Sequence, residues 1–122
     1  SGMIKTSPEY LENLRKRSEE LINYSNFLII KAFESLYNSA LSLLQYYLIK
    51  NNINVYGPDD IIQKLEELKK KKRSIKEIEE YFREIYDYMK KIEHKEVDKI
   101  DLDVFKDLLD RYYKFKEKIE KL

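Results

Sequence analysis

Leu11, Leu14, Ser18, Leu21, Ser25 and Leu28 recur at spacings of three and four, with Arg15, Lys16, Glu19 and Glu20 between them. That period places one stripe on a single helical face, and it predicts a helix with the stripe turned to a core and the charges in solvent. Ser7 and Pro8 open it, because the serine oxygen accepts an early amide and a first-turn proline forfeits no hydrogen bond. No Gly or Pro occurs from Glu9 to Tyr56. The one weak stretch is residues 23–26, where short polar side chains compete for backbone hydrogen bonds. The pattern therefore predicts a first helix ending near Tyr24 and a second over about residues 26–51.

In that second helix Phe27, Ile29, Ile30, Phe33, Leu36, Tyr37, Ala40 and Leu44 cover more than one face, which makes it the central element. Asn51, Asn52 and Asn54 form its exit, and Gly57 with Pro58 starts a short helix over about residues 59–70. Ser74 and Glu77 read as a capping box for a fourth helix. Along it Ile75, Ile78, Phe82, Ile85, Met89 and Ile92 repeat without a miss. A turn follows at residues 97–101. Asp101 and Asp103 then open a fifth helix at its positive pole, and Lys114, Lys116, Lys118 and Lys121 gather toward its negative pole. Every periodic segment reads 3.6 and none reads 2. The expectation is an all-α, up-and-down bundle of four long helices and one short one, forming a single domain over residues 3–122. Ser1 and Gly2 read as a tag remnant.

Composition sharpens this. Two glycines and two prolines in 122 residues argue against all-β folds, whose tight turns need them. With 24 basic and 23 acidic side chains the net charge is +1, so no global field announces a nucleic-acid or acidic-membrane binder, and any basic site is local. The absence of cysteine removes disulfides, thiol nucleophiles and thiolate metal sites, and a single histidine removes multi-histidine metal sites within one chain. No cofactor or metal is expected. No uninterrupted run approaches the ~18 apolar residues of a membrane span and no signal pattern opens the chain, so a cytoplasmic protein without a membrane role is expected.

Three groups of residues carry candidate chemistry. Lys69, Lys70, Lys71, Lys72 and Arg73 concentrate positive charge that suits phosphates, with a solvated helix end as the plain alternative. Arg83, Asp87, Lys90 and His94 step by four, three and four along one helix face. Arg83 and Asp87 read there as an ion pair, and His94 as a solvated residue near a helix end. Glu34, Ser35, Asn38, Ser39, Ser42 and Gln45 form a polar strip on an otherwise apolar helix, open to three readings: subunit packing, exposure, or a ligand groove where Glu34 and Asn38 meet Arg83. The eleven tyrosines offer base-stacking surfaces, although at helical spacing they read first as core or interface residues.

Residues 32–44 (AFESLYNSALSLL), the turn and short leucine helix of residues 53–68, and residues 83–88 (REIYDY) together resemble the HEPN superfamily of small helical bundles. The resemblance implies a homodimer, a nucleotidyltransferase-like protein as partner, and an association with RNA or nucleotide in toxin–antitoxin or defence-type systems. On it, Glu34, Asn38, Arg83 and Lys90 are candidate ligand-binding residues, and Arg83, Asp87 and His94 are the candidates for catalysis. Two departures stand against catalysis. Ribonuclease members place four to six residues between the Arg and a His, whereas ten residues separate Arg83 from His94, and Asn38 stands where some members carry a helix-two His. The expected function is a non-catalytic HEPN-like accessory domain. The alternatives are a protein–protein interaction module that docks a partner on the stripe of the fifth helix, and a degenerate ribonuclease.

Overall fold

A computed structural model describes residues 7–122, so Ser1 and Gly2, read as a tag remnant, lie outside the described residues. The described residues form four helices: α1 (Pro8–Lys50), α2 (Pro58–Lys71), α3 (Ile75–Glu93) and α4 (Leu102–Glu120). There is no strand among the described residues, as the periodicity predicts. The helix count differs from the sequence expectation because α1 runs unbroken for 43 residues. Asn23, Ser25 and Asn26 each cost a helix only several tenths of a kcal/mol relative to alanine. Extending an existing helix adds one hydrogen bond per residue fixed, so a few weak formers without Gly or Pro do not stop it. What stops it is Asn51, whose amide caps the last turn, followed by Asn52 in the left-handed conformation at φ 64°.

Facing side chains fix the directions of the helices. Tyr37 stacks on Phe82 and Phe33 tilts against Tyr88, so α3 runs antiparallel to α1. Phe33 also meets Phe105, and Ser39 shares a 2.8 Å hydrogen bond with Tyr112, so α4 runs parallel to α1. On α2, Asp59 meets Tyr86 and Lys69 meets Glu79, which sets α2 against α3 and along α1. The expected up-and-down order therefore fails at its first connection. An extended segment, residues 51–57, carries the chain back along the bundle before α2 begins, anchored by buried Val55 and by the Tyr56 amide donating to Asp60 at 3.0 Å.

The core sits where α3 crosses the lower half of α1. Phe33, Ala40, Leu44, Ile61, Leu65, Ile78, Phe82, Ile85, Leu108 and Ile119 are fully buried there. The stripe of α4 belongs to this core, with Phe115 and Ile119 buried and Phe105 and Tyr112 packed against it. It is not a spare docking face.

Two local expectations meet different outcomes. Asp101 caps α4 as predicted, accepting from the amides of Asp103 and Val104. The capping box of α3 does not form. Ser74 has helical dihedrals and its side chain makes no cap hydrogen bond, because an N-cap needs an extended residue to aim its oxygen back at the helix. Glu77 is drawn instead to Lys118 of α4.

The largest departure concerns the first half of α1. The periodicity turns its stripe to a core, yet every residue from 8 to 28 except the half-buried Asn26 is exposed. Tyr10, Leu11, Leu14, Leu21, Ile22 and Leu28 each keep about half of their surface in solvent. The bundle begins only at Ile29 and Ile30, which pack against the core from its edge. Residues 8–28 thus form a free-standing arm about 31 Å long at the ordinary helical rise.

Candidate functional site

Arg83 projects from the middle of α3 toward α2. Its Nε donates to the Glu79 carboxylate at 2.9 Å and its outer nitrogen to Glu66. Glu79 is buried, its side chain only 5% exposed, and Lys69 stands 3.7 Å from its other oxygen. Two cations from neighbouring helices thus close around one buried carboxylate, and Glu66 holds the far side of Arg83. The hydrogen bond that Arg83 donates to Glu79, with the charges of Glu79 and Glu66 behind it, raises the Arg83 pKa further above its ordinary value. The expected pair with Asp87 does not form. Helical side chains lean toward the helix N-terminus, so a long arginine reaches the residue four before it more readily than the one four after. Glu79 stands at the same spacing as Asp87, and this lean is the signal that separates them.

The other members of that face are also occupied or apart. Lys90 lies 5.3 Å from the Tyr86 ring centroid and 3.4 Å from Glu93. Tyr86 donates its hydroxyl to Asp59. That bond, with partial burial and the Asp59 charge, pushes the Tyr86 phenol up to about 12. His94 is the exposed C-cap of α3. Because His94 lies 94 − 83 = 11 helical steps beyond Arg83, about 16 Å lies between their positions along the axis, too far to act on one phosphate.

The groove in which Glu34 and Asn38 would meet Arg83 is not assembled. Glu34 pairs at 3.0 Å with Lys31, one turn away on its own helix, and Asn38 is exposed. Ser35, Ser39 and Ser42 are exposed as well, so most of the polar strip faces solvent. Among the described residues no cluster of three or more His, Asp or Glu side chains is placed to hold a metal ion.

Lys69 to Arg73 are joined in space by lysines that the linear sequence keeps apart from them. Lys70, Lys71, Lys72 and Arg73 are exposed at the end of α2. A cavity of about 120 Å³ there is lined by Leu48, Ile53, Leu68, Lys72 and Leu122, so the final turns of α1, α2 and α4 converge on the same end. Lys50 is in the last turn of α1, Lys118 in that of α4, and Lys121 is the C-cap of α4. Three negative helix poles meet at this end, and the lysines complement them. Basic side chains scattered over more than seventy residues are thereby gathered at one end of the bundle, where Lys69 and Lys118 pair with Glu79 and Glu77.

α1 is, by length and composition, long and apolar enough to cross a membrane. No uninterrupted apolar run forms there because Lys31, Glu34 and Asn38 break it, whereas an average over an 18-residue window tolerates a few such interruptions. Part of the same stretch is the core helix of the bundle.

Comparison with family models, curated proteins and solved structures finds no match to this chain. Fold and surface together define an all-α bundle with a projecting helical arm and a basic end. The HEPN resemblance rests on the sequence pattern of residues 32–44, 53–68 and 83–88.

Proposed function

We propose that the chain is a HEPN-like accessory domain that binds RNA or nucleotide phosphates without cleaving them, and that the basic end is its binding face. The observation that carries this reading is the convergence of Lys50, Lys70, Lys71, Lys72, Arg73 and Lys121 from three helices onto one end of the bundle. Such a face releases counterions when it meets phosphates, and its grip weakens as salt rises. Against catalysis stand the helical separation of Arg83 from His94 and the two carboxylates that hold Arg83. In a two-component system the same chain would serve as helical partner of a nucleotidyltransferase-like protein.

Labelled single-stranded RNA tests the reading by filter retention across a salt series. Reversing Lys70, Lys72 and Arg73 together to Glu is expected to lower affinity at least tenfold at low salt and to flatten the salt dependence, by roughly 0.7 in log–log slope for each phosphate no longer neutralised. Arg83→Ala is expected to leave retention unchanged, and no variant is expected to cleave. Unaltered retention in the triple variant would sink the assignment of the face.

A second reading, a protein–protein interaction module with no nucleotide role, is favoured by the exposed stripe on residues 8–28. Failure to retain RNA or nucleotide at any salt concentration would leave it in possession.

A further inference from the structure

The arm presents a seam of apolar residues to solvent over its whole length, and soluble proteins rarely leave a patch of that extent open. We propose that its occupant is the arm of a second copy of this chain, packed antiparallel about a two-fold axis between residues 19 and 20. The basic end plays no part in it.

The seam has a seven-residue repeat. Leu14, Leu21 and Leu28 are seven apart, and Leu11, Ser18 and Ser25 precede them by three, the spacing that lets two helices interlock along their length. Lower on α1 the same face is already used. Ser39, fourteen residues beyond Ser25, hydrogen-bonds Tyr112 of α4. Above the start of α4 that face has no neighbour.

Three features select a second copy in the antiparallel sense. The first is shape. With the axis between residues 19 and 20, Leu14 faces Ser25 of the second copy, Leu21 faces its Ser18, and Leu11 faces its Leu28. Large thus meets small in the four central layers, whereas a parallel pair would set Ser18 on Ser18 and Ser25 on Ser25 and leave gaps. The second is length. In this register residues 11–28 of the two copies lie level with one another, and Pro8 of one copy reaches the level of Lys31 of the other, past Ile29 and Ile30 at the edge of the bundle but short of buried Phe33. The third is area. Tyr10, Leu11, Leu14, Leu21, Ile22 and Leu28 are each about half-exposed. At roughly 100 Å² apiece on two arms they bring on the order of 1,200 Å² under cover, the lower bound of a specific interface. At the flanks, Arg17 of each copy comes beside Tyr24 of the other, a cation over an aromatic ring.

Light scattering on the full chain at about 100 μM is expected to give twice the 14.9 kDa protomer mass. The Leu14→Glu/Leu21→Glu variant is expected to return to the protomer mass with an unchanged buried core, because neither side chain touches it. A single nitroxide label fixes the sense, since the chain has no native cysteine. Labels at Glu20→Cys lie near the axis and are expected to be close together, while labels at Glu9→Cys are expected about 30 Å apart along the helices. A wild-type monomer would overturn the proposal and leave the arm to a different protein. A dimer that survives both glutamates would place the interface elsewhere, and short distances at both labels would overturn the antiparallel sense.

Discussion

Glu79 shows how a single buried carboxylate can organise its surroundings. It accepts from Arg83 at 2.9 Å, with Lys69 at 3.7 Å, and so joins the end of α2 to the middle of α3. Glu79→Gln keeps the volume but loses the charge. It is expected to cost about 1 to 3 kcal/mol, the range for a hydrogen bond between charged groups, with both cations free to regain water. Urea unfolding checks this, and a loss below 0.5 kcal/mol, roughly the floor for a net hydrogen bond, would show the cluster to be ornamental. Tyrosines report a second residue-scale effect. Burial pushes the Tyr81 phenol up, and the bond to Asp59 pushes Tyr86 up to about 12. A phenol that ionises near 10 when unfolded and higher when folded makes the native state the better proton binder between those values. Its stabilisation is therefore full below pH 10 and is lost as pH rises through about 12. Ultraviolet phenolate absorbance should show the last few phenols, Tyr81 and Tyr86 among them, ionising only with loss of helix. Simultaneous titration of all eleven would contradict it. Helical spacing places Arg83 and Lys90 on one face, as the structure does. It misassigns the partner of Arg83 because a linear spacing of four is symmetric, whereas a helical side chain is not.

At the scale of elements, α4 is legible in the sequence almost to the residue. Its aspartate cap, its stripe and its basic end all follow from local rules that tertiary packing does not override. Because Phe115 is buried against Tyr81 with ring centroids 4.6 Å apart, Phe115→Ala is expected to destabilise the bundle by about 3 to 5 kcal/mol in chemical denaturation. A change near zero would restore the α4 stripe as a docking face. α1 is harder to read for a physical reason. Periodicity reports that a helix has an apolar face, but it does not say which neighbour covers that face. The stripe of residues 11–28 satisfies the same template as that of residues 33–48, and only the lengths of the other three helices decide which is covered. The unformed capping box is a related case, since Glu77 finds a stronger attraction in Lys118, 118 − 77 = 41 residues away.

On the scale of the whole molecule, the chain separates its surfaces along one axis, with the apolar arm at one end and the converging lysines at the other. The antiparallel assembly of two copies would set the two basic faces at opposite extremities, so that one RNA strand must span the whole particle to reach both. The arm also affects how the molecule moves through water. A helix of 43 residues is about 65 Å long, while α2, α3 and α4, at 14, 19 and 19 residues, reach less than half as far. Friction grows with shape as well as mass. Even a single protomer should sediment more slowly than a sphere of 14.9 kDa and leave a sizing column early, with an elution volume that imitates a heavier particle. Truncation of residues 1–28 should remove most of that excess drag, turning a rod-tailed diffuser into one whose tumbling time is set by the bundle alone.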